Sequence, residues 1–282
     1  IVTFDGRSEN WTVEGNTVLG ENNEVFPYAF VGGRTQDKKW AGDDAPVAIG
    51  DRNIFREFCT VHGATFDPKE TRIGSDNLFC AYSHVGHESS VGNHCVLSNN
   101  ATLGGHVMVG DRVVIGGLAA VHQFTRVGDG AMIGGCSRVV QDIMPYMIAE
   151  GSNAEHRTFN KVGMQRAGYG EADLLLAKRI FKLFFRSKLN HRQALDALRA
   201  GELGQHPLVD QIAAFYHVRR EDTTGANANS IRTGRREHRR GAGGDGVLSE
   251  TRTILAQPLQ GGKEVARADR PGIRSNAENL DM

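Results

Sequence analysis

Twelve successive positions, each six residues after the last, are all bulky and apolar: Ile73, Phe79, Val85, Val91, Leu97, Leu103, Val109, Ile115, Val121, Val127, Ile133 and Val139. At 39% hydrophobic content chance would soon interrupt such a series. Glycine usually follows, at 74, 86, 92, 104, 110, 116, 128 and 134. Two residues before each member stands a small or short side chain, as at Asn77, Ser83, Ser89, Cys95, Ala101, Ala119, Thr125, Ala131 and Ser137. A period of six matches neither the 3.6 of a helix nor the 2 of a simple strand. It fits a short strand plus a turn, and three such units close one triangular coil of a parallel β-helix. The bulky residue then points inward and stacks on its copy three hexads away. The small residue fills the corner, and glycine relieves backbone crowding there. Coils about 4.8 Å apart let backbone groups pair above and below.

Ile49, Phe55 and Val61 keep the spacing, as do Val13, Leu19, Val25 and Val31. Polar stretches at roughly 33–48 and 63–72 interrupt it and read as loops leaving the prism. A β-sandwich is the competing architecture, but its turns would come every 8–12 residues. The β-helix is therefore assigned to residues 1–146.

The period stops at Val140, and Pro145 marks the boundary. Residues 147–218 read as a small helical domain. Leu174, Leu175, Ala177, Ile180, Phe181, Phe184 and Phe185 follow helical spacing, with Lys178, Arg179, Lys182 and Arg186 between them. Further helices are expected over Gln193–Arg199 and Pro207–Val218. Residues 219–282 lack Phe, Trp and Tyr and are expected to be a disordered tail.

A formal net charge of +0 gives no general pull toward nucleic acid. No apolar stretch is long enough for a transmembrane segment. Cys59, Cys80, Cys95 and Cys136 form no CxxC pair, which fits reduced thiols and a cytoplasmic location.

Because one coil takes three hexads, Gly86-His87-Glu88, Gly104-Gly105-His106 and His122-Gln123-Phe124 become vertical neighbours. None holds an inward position, so the three segments meet at a corner or on the outer surface. Two chemistries can use them. In acyl transfer a neutral histidine takes a proton from a hydroxyl, a carboxylate orients it, and a bare glycine N–H meets the oxyanion. His87, Glu88 and Gly105 supply those parts. Alternatively, three histidines hold zinc with one open position. The three different offsets of these histidines within the repeat argue against that, so no metal and no cofactor is expected.

The strings Gln36-Asp37-Lys38-Lys39-Trp40-Ala41-Gly42, Ile49-Gly50-Asp51-Arg52-Asn53, His84-Val85-Gly86-His87, Asn99-Asn100-Ala101-Thr102-Leu103, Gly105-His106-Val107 and Ala120-Val121-His122-Gln123-Phe124 resemble the UDP-N-acetylglucosamine O-acyltransferase family. The likeness covers about 13–218. It implies a left-handed parallel β-helix followed by a helical domain, and a homotrimer with active sites between subunits. It implies transfer of a 3-hydroxyacyl chain from acyl carrier protein to the 3-hydroxyl of UDP-N-acetylglucosamine, the first step of lipid A synthesis. On this resemblance His87 is the general base and Gly105 the oxyanion donor. Asp37, Lys39, His84, His106, His122 and Gln123 line the cleft. Gly135 gauges acyl length, and Asn160 and Arg166 lie toward the nucleotide.

The chain departs from the family pattern in places. Glu88 stands where the family has Asp, and Ala167 follows Arg166 where a second Arg is usual. About two N-terminal coils and any counterpart of the tail are missing from the match. Two other readings share the motif: a related N-acyltransferase acting on an amino sugar, and a prism kept as a catalytically impaired scaffold.

Overall fold

The computed structural model describes residues 3–4, 12–43 and 45–217. Short strands stack in three sheets, parallel and each taking every third strand of the chain as far as Arg138–Val139. The register is three hexads per coil over most of the prism: His84 pairs with Thr102, Thr102 with Ala120, and Ala120 with Arg138. Two insertions each lengthen a coil, the first leaving one register shift between Val31 and Gly33. Phe30 still pairs with Thr60, across the first loop, and Thr60 with His84, across the second, so both loops leave and rejoin at the same height.

Every member of the hexad series is inward and buried, and one continuous cluster runs from Val25 to Ala154, with Val13 and Leu19 partly buried beside it. Stacked like residues pack face to face, as with the Phe55 and Phe79 rings at 4.9 Å. At about 25 cal/mol per Å² of apolar surface removed from water, this column is the main stabilising term.

The glycines after each inward residue relieve backbone crowding, as expected, and not through a positive φ. Gly86 and Gly104 are not in the left-handed region; a Cβ on Gly86 would stand 2.8 Å from the Gly104 carbonyl carbon one coil away. They are small because backbones approach closely. The positive φ falls two residues later, on Glu88, His106 and Phe124 and on the equivalent turn residue of most coils, such as Asp76 and His94. There the N–H donates to a carbonyl in the coil before, as His106 to His87 at 2.8 Å.

The prism continues past the expected boundary at 146. Ile143 bridges Val127, and Met147–Glu150 pairs in parallel with Met132–Ile133. The register there falls short of three full hexads, since Ile133 meets Ala149 rather than Gly151. A search for hexads therefore misses a coil whose corners are tightened. Glu155–Phe159 then turns back antiparallel, and the helical domain begins at about 160 rather than 147.

Among the described residues four helices follow: α1 Lys161–Arg166, α2 Glu171–Phe185, α3 His191–Ala200 and α4 Pro207–His217. The first had no sequence expectation. In α2 the buried face uses Leu176, while Leu175 is exposed. The helices form a second core that takes in Met144, Tyr146 and Met147 from the last coil. Arg126 joins the two cores. It pairs with Asp142 at 2.9 Å, donates to the Phe215 carbonyl at 2.8 Å, and lies over the Phe215 ring. The expected tail, 219–282, lies outside the described residues.

Candidate active site

His87, Gly105 and Gln123 occupy the same turn position in successive coils. At another corner of the prism that position carries Ser75, Asn93, Asp111 and Asp129. There each side chain accepts the backbone N–H of the equivalent residue one coil earlier: Ser75 N–H on Asn93 Oδ1, Asn93 N–H on Asp111 Oδ1, Asp111 N–H on Asp129 Oδ1, at 2.7–2.9 Å. The histidine corner breaks this ladder. Gly105 has no side chain to offer, and the Gln123 side chain is exposed. The Gly105 N–H therefore has no acceptor among the described residues. The His87 ring fills the space a Cβ on Gly105 would need, placing the imidazole beside this glycine.

His87 Nδ1 contacts Glu88 Oε2. The Thr65 N–H donates to Glu88 Oε1 at 2.9 Å, and Thr65 Oγ1 lies 3.3 Å from Glu88 Oε2. Thr71 Oγ1 fixes the Glu88 backbone by accepting its N–H at 2.9 Å. His106 stacks on Phe124 at 4.5 Å and meets His87 edge to face at 5.1 Å. Its Nε2 is 4.0 Å from Glu88 Oε2. His84, on the adjoining sheet, holds Thr60 Oγ1 at 2.7 Å through Nδ1.

The electrostatics separate one acid from several neutral imidazoles. Burial pushes the Glu88 carboxyl up, but hydrogen bonds from His87 and from Thr65 outweigh it and hold the group below its usual range. Desolvation lowers His62 to about 4, with His84 and His87 adding to the effect. It also lowers His84 and His106, the latter against the pull of Glu88. At neutral pH these three rings are uncharged hydrogen-bonding groups, and Glu88 supplies the negative charge.

A cavity of about 300 Å³ opens over this corner, lined by Gln36, His62, His84, His87, Gly104 and Gly105 among others. It shares Gln36 and His62 with a larger hollow of about 610 Å³ bounded by Arg34, Asp37 and Trp40.

The structure thus brings together His84, His87, Glu88, Gly105 and His106, with Gln36 from the first loop. Asp37 and Lys39 lie on that loop; Asp37 Oδ1 accepts the Lys39 N–H at 2.9 Å, and the Lys39 side chain is exposed. His122 and Gln123 stand one coil further along, exposed, with His122 Nδ1 3.1 Å from the Gln123 carbonyl. Gly135 belongs to a different corner, stacked on Gly117, where a Cβ would stand 3.2 Å from the Gly117 carbonyl oxygen. Asn160 is committed to structure: its side chain caps α1 by accepting the Gly163 N–H and donates to the Gly130 carbonyl. Arg166 is exposed at the end of α1.

Sequence reasoning missed Thr65, Thr35 and His62. They sit where the loops join the prism, outside the hexad rhythm. The only signal was the register shift itself, which places Thr60–His62 beneath His84–Gly86.

His87, Glu88 and His106 each offer a donor atom within 4.8 Å of the others, a set suited to a small divalent cation. His122 is not part of that group, so the three-histidine arrangement weighed from the sequence does not assemble.

A family model described as UDP N-acetylglucosamine O-acyltransferase, domain 2, matches residues 142–224. A curated relative from Verminephrobacter eiseniae, named acyl-[acyl-carrier-protein]–UDP-N-acetylglucosamine O-acyltransferase, is 43% identical over 66% of this chain and 71% of its own. One of the same name from Synechocystis is 39% identical over 72% and 73%. Among solved structures, LpxA from Acinetobacter baumannii shows a TM-score of 0.69 at 35% identity, covering 73% of this chain and 81% of that one. The UDP-N-acetylglucosamine acyltransferase of Bacteroides fragilis shows 0.72 at 29% identity, covering 76% and 82%. The prism is accordingly a left-handed parallel β-helix. By fold, by identity over most of its length and by the histidine corner, this chain belongs to the UDP-N-acetylglucosamine O-acyltransferase family of enzymes.

Proposed function

We propose that this chain transfers a 3-hydroxyacyl group from acyl carrier protein to the 3-hydroxyl of UDP-N-acetylglucosamine, the opening step of lipid A biosynthesis. One observation carries the reading. His87 is held by a carboxylate through Nδ1 and lies beside a glycine whose N–H has no acceptor among the described residues. With Nδ1–H donated to Glu88, the Nε2 lone pair is free to act as a base. It takes the proton of the sugar hydroxyl as that oxygen attacks the thioester carbonyl. The Gly105 N–H receives the tetrahedral oxyanion. When the C–S bond breaks, the His87 imidazolium returns its proton to the departing pantetheine thiolate. Glu88 stabilises the imidazolium between these steps.

His84 and His106, neutral and flanking, are hydrogen-bond partners for substrate rather than second bases. Asp37, Lys39, His122 and Gln123 present exposed polar groups around the cavity and complete the cleft against a second copy in a homotrimer. Asn160 acts there through α1, which it caps, and Arg166 reaches the nucleotide from the end of that helix. Gly135 leaves room along the acyl path. No metal and no bound cofactor takes part. Free thiols at all four cysteines fit a reducing, cytoplasmic setting.

The test is direct. Purified protein is incubated with UDP-N-acetylglucosamine and a series of 3-hydroxyacyl carrier proteins, and products are identified by mass spectrometry. An O-acylated sugar nucleotide is expected. Transfer only to an amino-sugar acceptor, or no transfer at all, overturns the assignment.

A further inference from the structure

We propose that Thr65, with Thr35 behind it, is a positioning pair that ties the substrate loop to the catalytic histidine. This rests on the reading of His87 as the general base. The contacts form a single file. The Asp37 N–H donates to Thr35 Oγ1 at 3.1 Å, Thr35 Oγ1 lies 3.0 Å from Thr65 Oγ1, and Thr65 Oγ1 lies 3.3 Å from Glu88 Oε2. Both threonines are buried.

The polarity of this file is fixed at both ends. A backbone N–H can only donate, so Thr35 Oγ1 accepts from Asp37 and passes its own proton to Thr65. An ionised carboxylate can only accept, so Thr65 donates onward to Glu88. The same carboxylate requires His87 Nδ1 to be a donor. Thr65 Oγ1 also stands 3.3 Å from His87 Nδ1, and with its proton spent on Glu88 it can only accept there. Each hydroxyl has one proton and each is used once, so the tautomer that leaves His87 Nε2 basic is the one the whole chain favours. Glu88, one methylene longer than the residue usual in this family, reaches Thr65 through both oxygens: Oε1 takes its N–H and Oε2 its hydroxyl. Thr65 thus absorbs the freedom the longer side chain would otherwise have. The file begins on the loop carrying Asp37 and Lys39, so a ligand that orders the loop also stiffens the base. The charged and titratable groups facing His87 are Glu88, His106, His84 and His62, with Asp37 and Lys69 beyond His106.

The experiment uses the full chain with Thr65→Val, Thr65→Ser and Thr35→Val, each alone and Thr65→Val also with Glu88→Ala. Steady-state kinetics are paired with ¹⁵N NMR of labelled histidines, whose ring-nitrogen shifts read which nitrogen of His87 carries the proton whether or not the protein transfers an acyl group. Thr65→Val should lower kcat about tenfold, the scale of one hydrogen bond to a charged group, with KM nearly unchanged. It should also move the His87 ring from the Nδ1–H tautomer toward a mixture, because Glu88 Oε2 loses the hydroxyl that holds it against Nδ1. Thr65→Ser should restore both. Thr35→Val should raise KM for the sugar nucleotide more than it lowers kcat. In the Glu88→Ala background Thr65→Val should add nothing. An unchanged kcat and tautomer in Thr65→Val overturns the proposal, as does a Thr65→Ser variant equally impaired, or additivity with Glu88→Ala. Absence of acyl transfer by the unaltered protein defeats the functional reading instead, and the tautomer still decides the role of Thr65.

Discussion

Two corners of this prism are built from the same repeat position and end in opposite states. At the corner of Ser75, Asn93, Asp111 and Asp129, polar side chains accept the N–H groups of the coil before. Just inside that corner, Asn23, Asn53 and Asn77 pass hydrogen bonds from coil to coil until Asn77 Oδ1 accepts the Cys95 N–H at 2.7 Å. The N–H groups of Ser75, Asn93 and Asp111 are all paired there. At the corner of His87, Gly105 and Gln123 the ladder is interrupted: Gly105 has no side chain to accept from the coil before, and the exposed Gln123 does not accept the Gly105 N–H. An N–H stays open, and an imidazole occupies the vacated space. At this corner one structural hydrogen bond is withheld where the backbone can bear it. Each such bond contributes about 0.5–1.5 kcal/mol, a modest loss beside the continuous apolar column.

The comparison can be broken at either corner. The largest effect belongs to His87→Ala. Activity should fall by about 10²–10⁴-fold or more while the melting temperature barely moves. A variant with near-normal kcat would return the histidine corner to mere surface. Next comes Gln123→Asp, which copies the geometry of Asp111 beneath Asn93. The new carboxylate should cap the Gly105 N–H and cost about 10²–10³-fold in kcat, the scale of one lost oxyanion donor. Gln123→Ala, which leaves the amide open, should cost far less; equal losses in the two variants would show that the amide is not used.

The closed corner should answer in stability rather than rate. Asn77→Ala strands its partners on Asn53, Gly92 and Cys95 and should destabilise by about 1–3 kcal/mol for each buried group left unpaired. Urea unfolding reads this, with kcat of the folded enzyme unchanged. The smallest effect near neutrality is titration. Burial, reinforced by His191, pushes His156 from 6.5 down to about 3, and burial takes His62 to about 4. The unfolded chain therefore binds more protons across that window. Their stabilisation is complete above 6.5 and is lost as pH falls toward the folded values. Unfolding free energies measured from about pH 7 to 4 should decline, and His156→Gln should flatten the decline; an unchanged slope would remove His156 from the account.

The prism and the heart of the site were legible in the sequence. The hexads named the inward residues, and the three-hexad coil by itself places His87 against Gly105 and Gln123. The helical domain was readable as amphipathic spacing, though Leu175 and Leu176 exchange roles, because a wide apolar stripe does not say which edge meets the core. The last coil was lost at residue 146, since its shortened register, Ile133 against Ala149, breaks the rhythm that carried the inference. Asn160 shows a further limit: an asparagine at the right place in a motif is also a good helix cap, and only its bonds reveal that its side chain is already spent.

What the sequence determined alone is everything that repeats, because equivalent positions in a periodic coil meet their own copies and need no distant information. What the tertiary structure decided is what the two inserted loops contribute. They obey no period, and only after the coils closed around them could Thr35 and Thr65 come within reach of Glu88, and His62 of His84.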